Sequence, residues 1–161
     1  MNKFCFLLII GLLWSEVDAC FIRARSEQRS ETSQVSSTLR EDEILETVFR
    51  YQIERCYREF PRKVYFLSYQ QTDPTDNLME RFRSYGTLVR KHSERREFYK
   101  KHSGDFGILL AIASIDSKND MVVSVEGYCG LGALEGSSYV YRVQKKGGRW
   151  RVRSQRRTGF S

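Results

Sequence analysis

Two histidines, His92 and His102, are followed directly by serines, Ser93 and Ser103. A serine that is activated by a neighbouring histidine can act as the nucleophile in acyl transfer. However, nothing in this spacing places the side chains at the geometry of a catalytic triad. Both histidines lie in a mostly charged segment, which is typical of solvated surface positions. The sequence therefore names no catalytic residue.

Two further patterns could indicate chemistry, but a structural role explains each of them better. Asp73 precedes Pro74, and this pair predicts the first turn of a helix, with Asp73 as its cap. The glycine-rich stretch over residues 127–132 resembles a phosphate-binding loop only in its glycine content. It lacks the Lys-Ser/Thr pair that such loops need, so it predicts a bend or bulge in a sheet.

Four cysteines are spread along the chain, at positions 5, 20, 56 and 129. Cys56 and Cys129 fall in the predicted folded part, and an oxidising compartment would permit a disulfide between them. Two buried free thiols are the alternative, because the distance between the cysteines cannot be read from the sequence. No pair has the CxxC spacing of a zinc site, so we predict neither a metal nor a cofactor.

The N-terminus has the three parts of a secretory signal peptide. Lys3 supplies a positive charge, residues 4–14 form an apolar run, and residues 17–19 form a cleavage site. The apolar run is shorter than the ~20 residues of a membrane-spanning helix. We therefore predict a signal peptide over residues 1–19 and an exported protein.

Cys20 has two predicted fates. Ordinary cleavage would leave it at the mature N-terminus, whereas residues 17–20 also resemble a bacterial lipobox, which would place a lipid on Cys20. Asp18 departs from the small or uncharged residue that is usual in a lipobox. Residues 20–37 are rich in Ser, Arg and Glu and are predicted to be a flexible tether. The predicted location is periplasmic, extracellular or, if Cys20 is lipidated, anchored to a membrane surface.

Helical and strand periodicity predicts a single α+β domain over residues 38–161. The predicted elements are a long helix over 38–60, a strand over 64–69, a second helix over 73–86, a short strand over 87–91, and strands over 106–115, 121–129, 139–146 and 149–157. Residues 92–105 are predicted to be a loop or a short exposed helix. Two helices packed on one face of a curved antiparallel sheet, which ends in a β-meander, would bury the apolar stripes.

Positive charge is concentrated in the last predicted hairpin. The chain has 27 Lys+Arg and 20 Asp+Glu, and residues 142–157 contain eight basic residues and no acid. Gly147-Gly148 predicts a two-residue turn. The register that this turn sets pairs Lys145 with Trp150, Val143 with Val152, Lys146 with Arg149, and Arg142 with Arg153. The predicted binding residues on the charged side are Arg142, Lys146, Arg149, Arg151 and Arg153.

Several segments carry a resemblance to known proteins. These are Val48-Phe49-Arg50-Tyr51-Gln52, Val64-Tyr65-Phe66-Leu67-Ser68, Asp73-Pro74, and a final hairpin with the pattern Y-x-V-x-x-K-G-G-x-W-x-V. From about residue 41 onward the chain resembles a group of uncharacterised small secreted bacterial proteins. The hairpin is also similar to the last strands of nuclear-transport-factor-2-like and cystatin-like domains. This similarity implies a cone-like α+β fold, and fold alone implies no function.

Charge, export and the lack of a catalytic motif favour a non-enzymatic envelope or secreted domain. We expect it to bind an anionic envelope component or an acidic protein through the basic hairpin, since like charges opposed across strands are relieved by an anion. Nucleic acid is disfavoured, because aromatic residues do not alternate with the cations on that face. An inhibitor or immunity-type protein is a further hypothesis. The main alternative is a small-molecule pocket protein or weak enzyme of the nuclear-transport-factor-2-like type, with a pocket lined by Tyr65, Leu67, Tyr69, Val125 or Tyr141.

Overall fold

The computed structural model describes residues 37–56, 58, 63–102, 106–131 and 135–160. The predicted signal peptide, the predicted tether up to residue 36 and the predicted lipidation site at Cys20 lie outside these residues. Backbone contacts divide the chain into two compact units, Met1–Glu41 and Asp42–Ser161. The fold and the sites below are those of the second unit.

The fold is α+β, with helices and one six-stranded mixed sheet. The α-helices are α1 (37–56), α2 (Asp76–Glu80) and α3 (Arg95–Lys101), and 3-10 helices cover Arg83–Leu88 and His92–Glu94. The strands are β1 (Tyr65–Tyr69), β2 (Val89–Lys91), β3 (Ile108–Asn119), β4 (Val122–Gly130), β5 (Gly136–Lys146) and β6 (Arg149–Phe160).

The sheet combines two kinds of strand pairing, in the order β2-β1-β3-β4-β5-β6. Strands β3 to β6 form an antiparallel meander, whereas β1 runs parallel to both β2 and β3. The prediction of a terminal meander is confirmed, and that of a wholly antiparallel sheet is wrong. Helical segments lie between β1 and β2 and between β2 and β3, and such crossovers let a following strand run in the same direction.

The core lies between α1 and one face of the sheet, here called the inner face. Apolar residues at helical spacing on α1 meet alternating side chains of the strands. The buried apolar residues of this cluster are Ile44, Leu45, Val48, Phe49, Ile53, Cys56, Tyr65, Leu67, Leu78, Phe82, Val89, Ile108, Leu110, Ile112, Val123, Val125, Tyr141, Val143 and Trp150. The predicted long amphipathic helix therefore supplies one side of the core.

The opposite face of the sheet, the outer face, is partly covered by α3. Phe98 of α3 is buried, and its ring meets that of Phe66 edge-on at 5.4 Å between centroids. Tyr99 contacts the same ring, and its hydroxyl donates to the carbonyl of Gly107. The segment predicted to be a loop or an exposed helix thus contains a helix with one buried anchor.

The predicted second helix is shorter than its sequence pattern indicates. Thr75, rather than Asp73, caps α2, because its hydroxyl accepts from the Leu78 amide at 3.1 Å. The carboxylate of Asp73 instead accepts from the amide of Ser93 at 2.8 Å. Although partial burial opposes it, this bond lowers the pKa of Asp73 below its ordinary value, with help from Lys91. Asp73 therefore links the segment between β1 and β2 to the segment between β2 and β3, rather than starting a helix.

Arg50 ties α1 to the segment between β1 and β2. Its guanidinium donates to the backbone carbonyl of Arg81 at 2.7 Å and to Glu46 at 2.9 Å. It also lies over the rings of Phe82 and Tyr85, at 5.1 and 5.5 Å from their centroids. The polar bonds and the ring contacts together fix the position of this segment against the helix.

Candidate functional site

The basic hairpin of the sequence analysis forms as β5 and β6. Lys145 pairs with Trp150, Val143 with Val152, and Lys146 with Arg149, as predicted. A register shift then places Arg142 opposite Ser154, so the predicted pairing of Arg142 with Arg153 is wrong. A β-bulge explains the shift, because it sets two residues of β6 against one of β5. Sequence alternation alone does not show where such a bulge falls.

Five exposed or half-exposed cations lie on the outer side of this hairpin and are called the basic face. They are Arg142, Lys146, Arg149, Arg151 and Arg153. In the part of the chain that the structure describes, none of them is within ion-pair distance of a carboxylate. The neighbours of Arg142 on the adjacent strands are Ser124 and Ser154, both uncharged.

One cation of the same hairpin, on its inner face, does have an acidic neighbour. Lys145 lies 3.8 Å from the carboxylate of Glu43 on α1, and its ammonium lies 5.6 Å from the ring centroid of Trp150. Other surface cations also have acidic partners, for example Arg83 with Glu80. Lys145 thus has an acidic neighbour among the described residues, whereas the clustered cations of the basic face do not.

The basic face surrounds a shallow depression of about 520 Å³. It is lined by Lys146, Gly147, Arg149, Arg151 and Arg153. The only hydrogen bond between described side chains here is from Arg153 Nε to Gln144 Oε1, at 3.2 Å. Guanidinium groups that make so few hydrogen bonds keep N–H donors available for an anion.

A second concavity, called the cavity below, opens between the end of α1 and the meander, with a volume of about 330 Å³. Its described lining consists of Gln52, Arg55, Cys56, Ile108, Cys129, Gly130, Leu131, Glu135, Gly136, Ser137, Tyr139, Tyr141 and Phe160. Spacing on the elements explains this lining. Positions 52, 55 and 56 share one helix face, and alternate positions of β5 share the inner face of the sheet.

Gln52 and Tyr141 form a buried polar pair on the floor of the cavity. The Gln52 side-chain amide donates to the Tyr141 hydroxyl at 3.1 Å and to the backbone carbonyl of Tyr128 at 3.4 Å. Gln52 is 2% exposed, and its Oε1 atom accepts no hydrogen bond from the described residues. Burial raises the pKa of Tyr141 well above its ordinary value, although the bond from Gln52 opposes this.

Gly127 lets the Gln52 amide approach the sheet. A Cβ at this position would lie 3.2 Å from Gln52 Nε2, 3.2 Å from the Tyr141 ring and 3.0 Å from the Ala111 carbonyl. The glycine-rich stretch predicted to be a bend therefore begins with a residue that makes room for the buried amide.

Cys56 and Cys129 both line the cavity. Cys56 is buried, whereas Cys129 is half-buried on β4, opposite Ser137. The structure thus brings the two cysteines to one site. The disulfide between them stays a prediction.

The cavity differs from the pocket predicted from the sequence. Tyr65, Leu67 and Val125 are 1% exposed or less and belong to the packed core, so only Tyr141 of the predicted set lines the cavity. Sequence reasoning missed Gln52 and Glu135. A signal existed for Gln52, since it is an amide within the apolar stripe of α1.

The two histidines take separate structural roles. His102 closes α3, where its Nδ1 lies 3.0 Å from the Phe98 carbonyl and its ring stacks on the Phe98 ring at 4.5 Å. His92 begins a 3-10 helix and borders an outer-face groove. No hydrogen bond joins either imidazole to a serine hydroxyl in the described segments.

Within the described residues, no group of three or more His, Cys, Asp or Glu side chains is arranged to hold a metal ion. None of the described helices is long and apolar enough to cross a membrane. Comparison with protein-family models, curated proteins and solved structures found no match.

Proposed function

We propose that this protein is an exported, non-enzymatic domain that binds an anionic envelope component through its basic face. The observation that carries the proposal is the set of five clustered cations without an acidic partner among the described residues. Exposed cations are commonly solvated, but a cluster of one sign raises the local concentration of anions. The paired state of Lys145 on the same hairpin supports a role for the unpaired cluster.

The shape of the basic face suits an extended or flat anionic surface. It occupies β5 and β6, which stand at one end of the strand order, and the turn that joins them. Its depression is shallow and lined by long side chains, so it accepts repeated phosphate or carboxylate groups rather than one enclosed ligand. Phosphate-bearing lipids and envelope polyanions present charge in this form.

The test is binding of the mature protein to vesicles that contain phosphatidylglycerol and to soluble polyphosphate, over a range of salt. The triple variant Arg142→Gln, Arg151→Gln, Arg153→Gln removes three of the cations. Each basic side chain at an anionic surface contributes about 1 kcal/mol, so the variant should bind roughly a hundredfold more weakly at low salt. Wild-type binding should also fall as salt increases.

A matched control separates the basic face from net charge. The control triple variant Arg83→Gln, Arg96→Gln, Lys100→Gln loses the same charge from exposed positions outside the hairpin. It should bind as the wild type does. Equal losses in the two triple variants would mean that only net charge matters, and unchanged binding in the hairpin variant would remove the proposal.

A further inference from the structure

We propose that the cavity between α1 and the meander binds a small, neutral, mostly apolar molecule that carries an N–H or O–H group. This site is independent of the basic face, because it lies on the inner side of the sheet and shares none of its residues. Its volume of about 330 Å³ is at the lower end of the range for ligand pockets, which suits a ligand of one or two rings.

The first argument is the unpaired acceptor at Gln52. A buried carbonyl oxygen without a donor costs free energy, and native proteins rarely leave one in this state. The amide cannot be turned to remove the problem, because the Tyr128 carbonyl only accepts and so requires the Nε2 atom beside it. The Oε1 atom itself has almost no exposed surface, so a small shift of the Gln52 side chain is needed before a donor at the floor of the cavity can supply the missing bond.

The second argument is the partner of this amide. The Tyr141 hydroxyl accepts from Gln52, so its own hydrogen is left to donate. Burial favours the neutral phenol, and this donor is therefore kept over the whole physiological pH range. An acceptor and a donor next to each other select a ligand by hydrogen bonds, and they do so without any charge.

The third argument is the distribution of charge and apolar surface. The floor is made of neutral groups, including Gln52, Ile108 and Tyr141, all 2% exposed or less. Arg55 and Glu135 are the charged residues of the described lining, and both are exposed. A charged ligand would lose its hydration at this floor without gaining an opposite charge, whereas a neutral one would not.

Indole and benzofuran provide matched probes, since they have nearly the same shape and only indole has an N–H donor. Titrations of the mature protein would be followed by two-dimensional amide NMR, which includes the Gln52 side-chain signals. We expect indole to bind at least about tenfold more tightly than benzofuran, because benzofuran leaves the Gln52 oxygen unpaired. Equal affinities, or no shift at residues that line the cavity, would overturn the proposal.

Two variants test whether the preference for indole depends on Gln52 and whether both probes bind in the cavity. Gln52→Met keeps the length of the side chain and removes the carbonyl, so the preference for indole over benzofuran should disappear. Leu131→Trp adds bulk to the lining and should weaken binding of both probes at least tenfold. If Gln52→Met does not fold, Leu131→Trp alone decides, and unchanged binding in that variant would contradict the site.

Cys129 gives a second readout that uses no spectroscopic assignment. Cys129 is half-buried and lines the cavity, so in protein treated with a reductant bound indole should slow its alkylation by N-ethylmaleimide, as measured by peptide mass mapping. Arg151→Gln, on the basic face, should change neither this protection nor the indole affinity. The two proposals are therefore tested separately. Failure of the vesicle-binding test would not affect the cavity proposal, and failure of the indole test would not affect the proposal for the basic face.

Discussion

Burial raises the pKa of Tyr141 well above the ordinary tyrosine value of about 10. The folded protein therefore keeps the phenol neutral at pH values where the unfolded chain ionises. Gln52 opposes this effect through its hydrogen bond, but desolvation is the larger cause. One hydroxyl thus links the polar floor of the cavity to the stability of the fold.

We expect the free energy of unfolding to decrease as pH rises above about 10. The sign follows from the raised pKa: the unfolded state loses a proton first, so alkaline pH favours unfolding. The contribution of Tyr141 should reach about 1.4 kcal/mol for each pH unit until the folded protein also ionises. Urea unfolding at a series of alkaline pH values would measure it.

Tyr141→Phe is the control for this pH dependence. It removes the ionisable group and keeps the ring, so its stability should fall less steeply above about pH 10 than that of the wild type. Identical slopes for the two proteins would mean that Tyr141 ionises normally in the folded state.

At the scale of the elements, the hairpin of β5 and β6 depends on its two-residue turn. Gly147 and Gly148 have φ angles of +59° and +77°, and no atom lies within 4 Å of a Cβ placed at either position. Backbone conformation, rather than space, therefore requires glycine here. The turn also sets the register that places the basic face on the outer side.

Gly148→Ala should lower the free energy of unfolding by about 1 kcal/mol, because an L-residue is strained at positive φ. Gly147→Asn should cost less, since asparagine tolerates this conformation in tight hairpin turns. Gly159→Ala is the matched control: its Cβ would meet Ser138 at an ordinary 3.7 Å. Chemical denaturation of the three variants would test the ranking, and an equal loss in Gly159→Ala would contradict it.

The sequence predicted those elements whose signals are local. The stripe of α1 and the Gly-Gly turn each lie within one segment, so periodicity and turn chemistry suffice to predict them. The parallel pairing of β1 was not predictable in this way, because alternation is the same in parallel and antiparallel strands. Helix α3 was missed as a packed element because Phe98 is its only buried residue.

The two candidate sites differ in the same way, since one depends on local sequence signals and the other does not. The basic face could be predicted because charge and strand alternation are properties of a single hairpin, apart from the bulge at Arg153. The cavity could not, because it is the space left between α1 and residues of four strands, β3 to β6, that are distant from α1 in the sequence. Only the polar Gln52 within an apolar stripe marked its position, and the sequence does not show what surrounds that amide.

At the scale of the whole molecule, positive charge is gathered at one side of the sheet. Repulsion within the basic face should make the folded protein less stable at low salt, since nearby acids do not offset it. The triple variant Arg142→Gln, Arg151→Gln, Arg153→Gln should therefore be more stable than the wild type at low salt, by roughly 0.5 kcal/mol. Urea denaturation without added ligand would measure the difference.

Salt provides the check on this explanation. At about 1 M salt the screening length is near 3 Å, and the advantage of the triple variant should vanish. The control triple variant should show no advantage, because two of its cations, Arg83 and Lys100, pair with acids. A hairpin variant that is less stable than the wild type at low salt would show that repulsion is not significant.

The packing of α1 against strands β4 to β6 has a consequence for synthesis. The apolar stripe of α1 is completed by Val125, Tyr141 and Trp150, which are synthesised long after α1. Until then, α1 and β1 lack most of the surface that buries them, and a nascent chain exposes both to other hydrophobic partners. Folding during synthesis therefore cannot bury α1 and β1 fully until β4, β5 and β6 have been made.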